Sequence, residues 1–297
     1  MSVRTIVTTD GSEASRKVEE FVLRLNRALS LHVMLVHVVD LRKLEYKSIS
    51  DLEIEMIRKG ARRAAEGMIE KERLFLEQSG VKAEVRLLEG APGEAICDAA
   101  ERERASLVVI GRRGHGDLQD WLFGSVSNHV LQYSPKPVLV IKRRGPISLG
   151  DDAARPLRVL MAVDESEATQ RCLDWLTSSA GYSTGMELTL LHVVNPNRHG
   201  LEYLAGSARD AALAGLKGSG EDLLQKVSSR LQGHVFPVNT RVEEGTPGKT
   251  LCRVYSEENF ELIVMTRRAL TEPGETGLGQ ISYFVVHHCA GHVLIVP

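Results

Sequence analysis

One segment of the chain combines glycine, arginine and serine in a pattern that suits the binding of an anion. The segment "GRRGHGDLQDWLFGSVS", residues 111–127, follows the apolar run 107–110 and holds four glycines. Glycine lets a backbone approach a bound group closely, and the first N–H groups of a helix are donors at the positive end of its dipole. The helix start expected at Gly124-Ser125 therefore predicts a phosphate site, with a plain surface loop as the alternative.

Two other polar positions follow predicted strands. Asp10 comes directly after the β-branched run 4–9, and His37-Val38-Val39 closes the strand predicted over residues 32–39. The carboxyl ends of parallel strands meet at one edge of a sheet, and ligands bind there where the strand order reverses. We therefore expect Asp10 to contact the ligand, with an N-cap role in the next helix as the alternative. His37 is expected to be held at the edge of the core by hydrogen bonds.

The elements that position these residues alternate between strands and helices. Apolar or alternating runs predict strands, and apolar residues at helical spacing predict helices. The predicted strands cover residues 4–9, 32–39, 81–88, 107–110 and 137–141, and the predicted helices cover 12–29, 50–78 and 92–103. In the helix over 50–78, Ile54, Ile57, Ala61 and Ala64-Ala65 are expected to form the buried face. Apolar strands divided by helices indicate a parallel sheet covered on both faces.

The whole pattern occurs twice. "IVTTDGSEAS" at 6–15 returns as "LMAVDESEAT" at 160–169, and "LLEGAPGEAICDAA" at 87–100 returns as "VEEGTPGKTLCRVY" at 242–255. Each copy is long enough to own a core. We therefore predict a first domain over residues 1–144, a linker over 145–156 rich in glycine and charge, and a second domain over 157–297.

The spacing of Gly111, Gly114 and Gly124-Ser125, which is Gly-x2-Gly-x9-Gly-Ser, resembles the nucleotide-binding pattern of the universal stress protein family. The aspartate after strand one, the His-Val-Val at the end of strand two and the "EGAPGEAI" turn extend the resemblance over nearly the whole chain, twice. It implies two tandem, doubly wound, five-stranded parallel α/β sheets, Rossmann-like and of the adenine nucleotide alpha hydrolase-like kind. It also implies binding of ATP, or of ADP or AMP, with Mg²⁺ accompanying the nucleotide.

The resemblance assigns a set of nucleotide contacts in the first copy. These are Thr9, Asp10, Val38, Gly111, Arg112, Gly114, Gly124, Ser125, Val126 and Ser127. It implies adenine near the backbone of Val38 and beside Asp10, and ribose and phosphates near Gly111 and Gly114. Residues 124–127 would supply N–H and hydroxyl donors. Arg112 is a candidate to offset phosphate charge, with a solvated side chain as the alternative.

The second copy departs from this pattern. Thr266 and Ala269 replace the first two glycines and Gln280 replaces the serine, while Gly279 is kept. The added Cβ atoms stand where the backbone should close on phosphate. We therefore expect nucleotide mainly in the first domain.

Composition narrows the choice of partners and location. The formal net charge of −2 gives no sign of a nucleic-acid partner, and no apolar run approaches the roughly 20 residues of a membrane span. The first residues lack the apolar core of a signal peptide. Four cysteines in 297 residues do not indicate a disulfide framework, so we expect reduced thiols and a cytoplasmic location. "HHCAGH" at 287–292 is interpreted as the junction of a helix with the last strand, not as a metal site.

Two classes of function compete for this arrangement. The favoured one is an ATP-binding stress-response or regulatory protein, with at most slow hydrolysis. The alternative is an ATP-hydrolysing or nucleotidyl-transfer enzyme of related architecture, which would need a Ser-Gly-Gly loop or a His-rich helix motif that "DGSEAS" does not provide. A dinucleotide-dependent oxidoreductase is disfavoured, because it would need Gly-x-Gly-x-x-Gly after the first strand and "TTDGSEAS" lacks that motif.

The final strand of each copy, in "KPVLVIK" and "GHVLIVP", is apolar on both sides. An exposed sheet edge of that kind is a template for pairing. The family resemblance suggests that single-domain relatives dimerise through this strand. We expect the two copies to form a pseudo-symmetric dimer inside one chain, while a homodimer through other faces stays open.

Overall fold

A computed structural model describes residues 2–42, 50–112, 124–142, 155–180, 184–267 and 277–297. The chain divides into two compact units, Met1–Arg143 and Arg144–Pro297. Each unit carries its own five-stranded parallel sheet, and helices connect successive strands. This is the doubly wound α/β fold that the alternation of patterns predicts.

The first unit holds the complete glycine pattern. Its strands are β1 (Val3–Thr8), β2 (Leu31–Val39), β3 (Ala83–Glu89), β4 (Leu107–Gly111) and β5 (Val138–Ile141). Its helices are α1 (Glu13–Leu29), α2 (Asp51–Gln78), α3 (Pro92–Arg102) and α4 (Ser125–Tyr133). The strand order is β3-β2-β1-β4-β5, so the order reverses between β1 and β4. Asp10 and Gly111 therefore leave neighbouring strands at the position where such sheets bind ligands.

Helix α1 follows its sequence pattern closely. Ser12 caps its first turn by accepting a hydrogen bond from the Ser15 N–H, and Val18, Phe21 and Leu25 are fully buried. The helix packs on β1 and β4, whose residues 107–110 are also buried. The turn that carries Asp10 therefore connects two elements of the core, β1 and α1.

Helix α2 has the predicted length but a different buried face. Ile57 is 41% exposed, and Ala64 is exposed as well, whereas the buried residues Ala65, Ile69 and Leu76 lie in the second half of the helix. The predicted apolar face was therefore wrong for the first half: the helix packs on β2 and β3, and the side chains that it buries lie in its second half. Ser50 and Glu53 form a reciprocal capping box that stabilises the exposed start.

The second unit repeats the topology. Its strands are β6 (Leu157–Ala162), β7 (Met186–Val194), β8 (Val238–Glu244), β9 (Leu262–Thr266) and β10 (His292–Val296), in the order β8-β7-β6-β9-β10. Its helices are α5 (Glu167–Ala180), α6 (Gly206–Ser229), α7 (Pro247–Glu257) and α8 (Gln280–His288). Two short 3₁₀ turns, Pro196–His199 and Leu201–Tyr203, precede α6. None of the helices in the described ranges is long and apolar enough to cross a membrane.

One disulfide corrects the expectation of reduced thiols. Cys252 on α7 is bonded to Cys289, which caps the end of α8, with their Cα atoms 5.0 Å apart. The two helices pack against each other, so residues 37 positions apart in sequence become neighbours. In the first unit the corresponding residues are Cys97 and Ser134, which explains why the bond belongs to the second unit.

Candidate functional site

The turn after β1 is built by its own polar side chains. The Thr9 hydroxyl accepts a hydrogen bond from the Gly11 N–H over 3.2 Å, and the Asp10 carboxylate accepts one from the Ser12 N–H over 3.0 Å. The Ser15 hydroxyl donates to the same carboxylate oxygen, Oδ1, over 2.6 Å. Gly11 adopts a φ of 72°, a left-handed conformation that glycine tolerates best. The sequence "TDGSEAS" therefore fixes the position of the Asp10 carboxylate at the sheet edge.

Asp10 is not the N-cap of α1, which corrects the alternative role considered for it. Ser12 caps the helix, and Asp10 instead closes the turn that precedes it. In the second unit Asp164 repeats the arrangement, accepting hydrogen bonds from Ser166 and Thr169. Oδ1 therefore stabilises the turn in both units, and contact of Asp10 with a ligand stays a prediction.

Val38 offers its backbone at the same edge. Pairing of β1 with β2 ends at Thr8 and Val36, and the Val36 carbonyl accepts from the Thr9 N–H over 3.0 Å. Backbone groups of alternate residues in a strand point the same way, so the N–H and C=O of Val38 point to the space past the end of β1. The half-buried His37 is held as predicted, with Nδ1 2.8 Å from the Thr9 carbonyl oxygen.

Gly111, the last residue of β4, is glycine for a packing reason. A Cβ added to it would lie 3.3 Å from the Val18 Cγ2 atom and 3.7 Å from the Ala14 carbonyl oxygen. The missing side chain therefore lets α1 pack closely on β4. Contact of Gly111 with ribose or phosphate stays a prediction.

Helix α4 begins beside the end of β4. Gly124 is its N-cap and makes no side-chain capping bond, and its N–H donates to the Arg112 carbonyl oxygen over 3.3 Å. The first N–H groups of a helix, here those of Ser125, Val126 and Ser127, have no partner within the helix. Ser125 is exposed and Val126 is half-buried. The start of α4 therefore presents several backbone donors and a positive dipole end at the sheet edge.

The Ser127 hydroxyl already has a partner within the protein, and its contact with a phosphate stays a prediction. It is buried and donates to the Gly111 carbonyl oxygen over 2.7 Å. In the second unit Ser282 donates to the Thr266 carbonyl oxygen over the same 2.7 Å. The side chain therefore links the helix to the strand in both units. The backbone N–H of Ser127 is a further donor at the sheet edge.

Two cationic residues, Arg112 and Lys142, follow the ends of β4 and β5 at this sheet edge. The Nε and Nη2 atoms of Arg112 are buried, so the fully solvated alternative for this side chain does not hold. Lys142, directly after β5, is only 2% exposed, and sequence reasoning did not single it out. A comparison of the two copies could have found it, because Pro297 follows the last strand of the second copy where lysine follows that of the first. Gly114, Arg113 and His115 lie outside the described residues.

The family model described as "Universal stress protein family" matches residues 1–142 and 157–297. The two matches cover nearly the whole chain and coincide with its two repeats. The chain belongs to the universal stress protein family. Its two copies of the fold make it a tandem member.

Individual relatives agree with this assignment. Universal stress protein MJ0577 of Methanocaldococcus jannaschii is 31% identical over 160 residues, which cover 48% of this chain and 97% of that protein. Universal stress protein MJ0531 of the same organism is 29% identical over 143 residues, 47% of this chain and 82% of that protein. The crystal structure of a universal stress protein from Archaeoglobus fulgidus is similar over 99% of this chain and 97% of its own, with a TM-score of 0.68 and 24% identity. That structure supports the fold.

Proposed function

We propose that the first unit binds an adenine nucleotide, with ATP accompanied by Mg²⁺ as the preferred form, and acts as a regulatory stress-response protein. The observation that carries the proposal is the pairing of two features at one edge. The backbone of Val38 points past the end of β1, and the start of α4, which has no side-chain cap, lies beside the end of β4. One feature suits the edge of a base and the other suits a phosphate.

The chemistry of the two features differs in a useful way. The N–H and C=O of Val38 together match the donor and acceptor of a flat heterocycle such as adenine. The donors at the start of α4, with Arg112 beside them, suit a polyanion. A nucleotide has both parts. Mg²⁺ would be bound by the phosphate oxygens and would reduce their mutual repulsion.

The second unit supports the proposal by contrast. It keeps the aspartate turn, the hydrogen bond from the helix serine to the strand, and a start of α8 without a side-chain cap. It carries Thr266 and Gln280 where the first unit has Gly111 and Ser125. The features shared by both units build the sheet edge. The features found in the first unit alone, which are the complete glycine pattern and Ser125, are candidates for making that edge bind a ligand.

Calorimetric titration of ATP into two matched variants tests the proposal. Gly114→Val places a branched side chain where the phosphates would lie, and we expect it to abolish binding at ligand concentrations that saturate the unmodified protein. Ala269→Val, at the corresponding position of the second unit, should leave the titration unchanged. Full-strength ATP binding by Gly114→Val would remove the proposed site.

We expect the bound nucleotide to be turned over far more slowly than the roughly 1–10³ per second of typical enzymes. Asp10 uses Oδ1 in its own turn, which favours a positioning role over that of a general base. Phosphate release under saturating ATP measures this. Turnover within the ordinary range that disappears in Gly124→Val would favour the enzymatic alternative.

We also propose, from the sequence repeat alone, that the final strands of the two copies pair within the chain. The linker holds one edge at an effective concentration of order millimolar for the other. Leu139→Lys should then make the linker easier to cleave in limited proteolysis. A cytoplasmic location stays a prediction.

A further inference from the structure

Lys142 is a charged residue in an unusual position. It follows β5 directly and is 2% exposed, a degree of burial that is rare for lysine. Its neighbour in the sheet is the end of β4, where Gly111 pairs with Ile141 and the Arg112 N–H donates to the Ile141 carbonyl oxygen over 3.0 Å. The protein therefore places two cations side by side at the ends of two adjacent strands.

The alternation of side chains places both cations on the face where α4 begins. The absent side chain of Gly111 faces α1, and its register partner Ile141 shares that face. The next residues, Arg112 and Lys142, then fall on the opposite face. The Gly124 N–H and the Ser127 hydroxyl both reach the Arg112 carbonyl oxygen from the start of α4. Arg112 and Lys142 are thus placed on the face of the sheet where the positive end of α4 lies.

Lys142 and Arg112 carry like charges and lie close enough for Arg112 to disfavour the charged form of Lys142. Burial, followed by the like charge of Arg112, lowers the pKa of Lys142 to about 7. A negative group bound at the start of α4 would relieve the repulsion and favour the charged form of the amine. The arrangement therefore gains most from a ligand with several negative charges.

We propose that Lys142, acting with Arg112, makes the affinity of the first unit depend on the phosphate charge of the nucleotide, so that the unit prefers ATP over AMP and cyclic AMP. The inference rests on the proposed nucleotide site and adds to it a residue that sets selectivity. Each further charge on the phosphate chain strengthens the interaction with the pair. Adenosine, which has no charge, gains nothing from it.

The second unit again provides an internal comparison. Arg267 corresponds to Arg112, but Pro297 stands in place of Lys142. The second unit therefore has one cation where the first has two. This difference parallels the loss of the glycine pattern at Thr266 and Ala269, so both changes lower the expected affinity of the second unit for phosphate.

The test is a set of titrations with adenosine, AMP, cyclic AMP, ADP and ATP, the last two with Mg²⁺. For the unmodified protein we expect affinity to rise with phosphate charge. Lys142→Met should weaken ATP binding about tenfold or more, because it removes a charge-assisted contact. Lys142→Met should change the affinity for adenosine only slightly. Lys142→Arg should keep the order of affinities.

Lys136→Met is the matched control, because it removes the same charge from the opposite end of β5 and should leave every affinity unchanged. Circular dichroism checks that each variant folds. If Lys142→Met does not fold, the unmodified protein decides: equal affinities for ATP and adenosine would overturn the inference. So would an unchanged ratio of ATP to AMP affinity in folded Lys142→Met. If the unmodified protein binds none of these ligands, it is the proposed function that fails.

Discussion

The Ser127 hydroxyl donates a 2.7 Å hydrogen bond to the carbonyl oxygen of Gly111, which joins the first turn of α4 to the last residue of β4. The same hydroxyl lies 3.3 Å from the Arg112 carbonyl oxygen. The bond fixes the start of the helix relative to the sheet, so the backbone donors of α4 are held in place before any ligand arrives. Such preorganisation lowers the cost of binding.

We expect Ser127→Ala to lower the free energy of unfolding of the first unit by about 1–2 kcal/mol, because the Gly111 carbonyl oxygen loses the donor that the buried Ser127 supplies. ATP affinity should fall several-fold without disappearing, since the backbone N–H groups remain. Chemical denaturation and titration measure the two effects. Ser282→Ala is the control and should destabilise the second unit without affecting ATP binding. Unchanged stability with abolished binding would show that the hydroxyl contacts the ligand instead.

The close packing of Gly111 against Val18 gives a second prediction. In the second unit the corresponding residues are Thr266 and Cys172, so a larger residue on the strand accompanies a smaller one on the helix. Gly111→Thr should destabilise the first unit by about 1–3 kcal/mol through overpacking. Adding Val18→Cys should recover part of the loss. A double-mutant cycle by denaturation checks the coupling, and strictly additive effects would contradict it.

The sequence predicted the order of strands and helices well, because β-branched runs and helical spacing are local properties. It also placed Asp10, Val38 and the start of α4 at one edge, since parallel topology brings strand ends together. It did not show the structural role of Ser127, because nothing local indicates that its hydroxyl reaches the carbonyl oxygen of residue 111. The exposure of Ile57 was missed for a related reason: an apolar pattern does not show which part of a helix the rest of the protein covers.

Other features depend on contacts between distant residues and left no signal within a single copy of the repeat. The Cys252–Cys289 bond is one, and the importance of Lys142 is another. In both cases comparison of the two copies would have drawn attention to the positions, since Ser134 and Pro297 stand at the corresponding places.

Reduction of the Cys252–Cys289 bond should destabilise the second unit. A cross-link spanning 37 residues restricts the unfolded chain, and its loss typically costs about 2–4 kcal/mol. We therefore expect Cys252→Ser, or treatment with a thiol reductant, to lower the melting temperature of the second unit. Cys97→Ser, at the equivalent position of the first unit, is the control and should not reproduce the effect. A melting curve that does not change on reduction would contradict the prediction.

A buried pair of carboxyl groups joins α1 to α2 in the first unit. Glu19 is fully buried and Glu72 nearly so, and Arg16 lies 3.1 Å from an oxygen of each while its guanidinium also rests over the Phe75 ring. Burial raises the pKa of Glu19 to about 9, and its hydrogen bond with Glu72 and the charges of Glu72 and Glu20 act in the same direction, against Arg16. The folded protein therefore holds a proton on this pair that the unfolded chain has released above pH 4.5.

The stability of the first unit should consequently fall as pH rises from about 4.5 towards 9, by at most about 1.4 kcal/mol per pH unit. The second unit carries Leu173 and Val227 at these positions. Because a buried ionisable cluster is often no more stable than an apolar one of similar size, Glu19→Leu with Glu72→Val should stabilise the unit at pH 8 and flatten its pH dependence. Denaturation at pH 6 and pH 8 measures both effects, with Glu101→Gln on α3 as the control for an exposed carboxylate outside the cluster. If the double variant keeps the full slope, the pair does not hold the proton assigned to it.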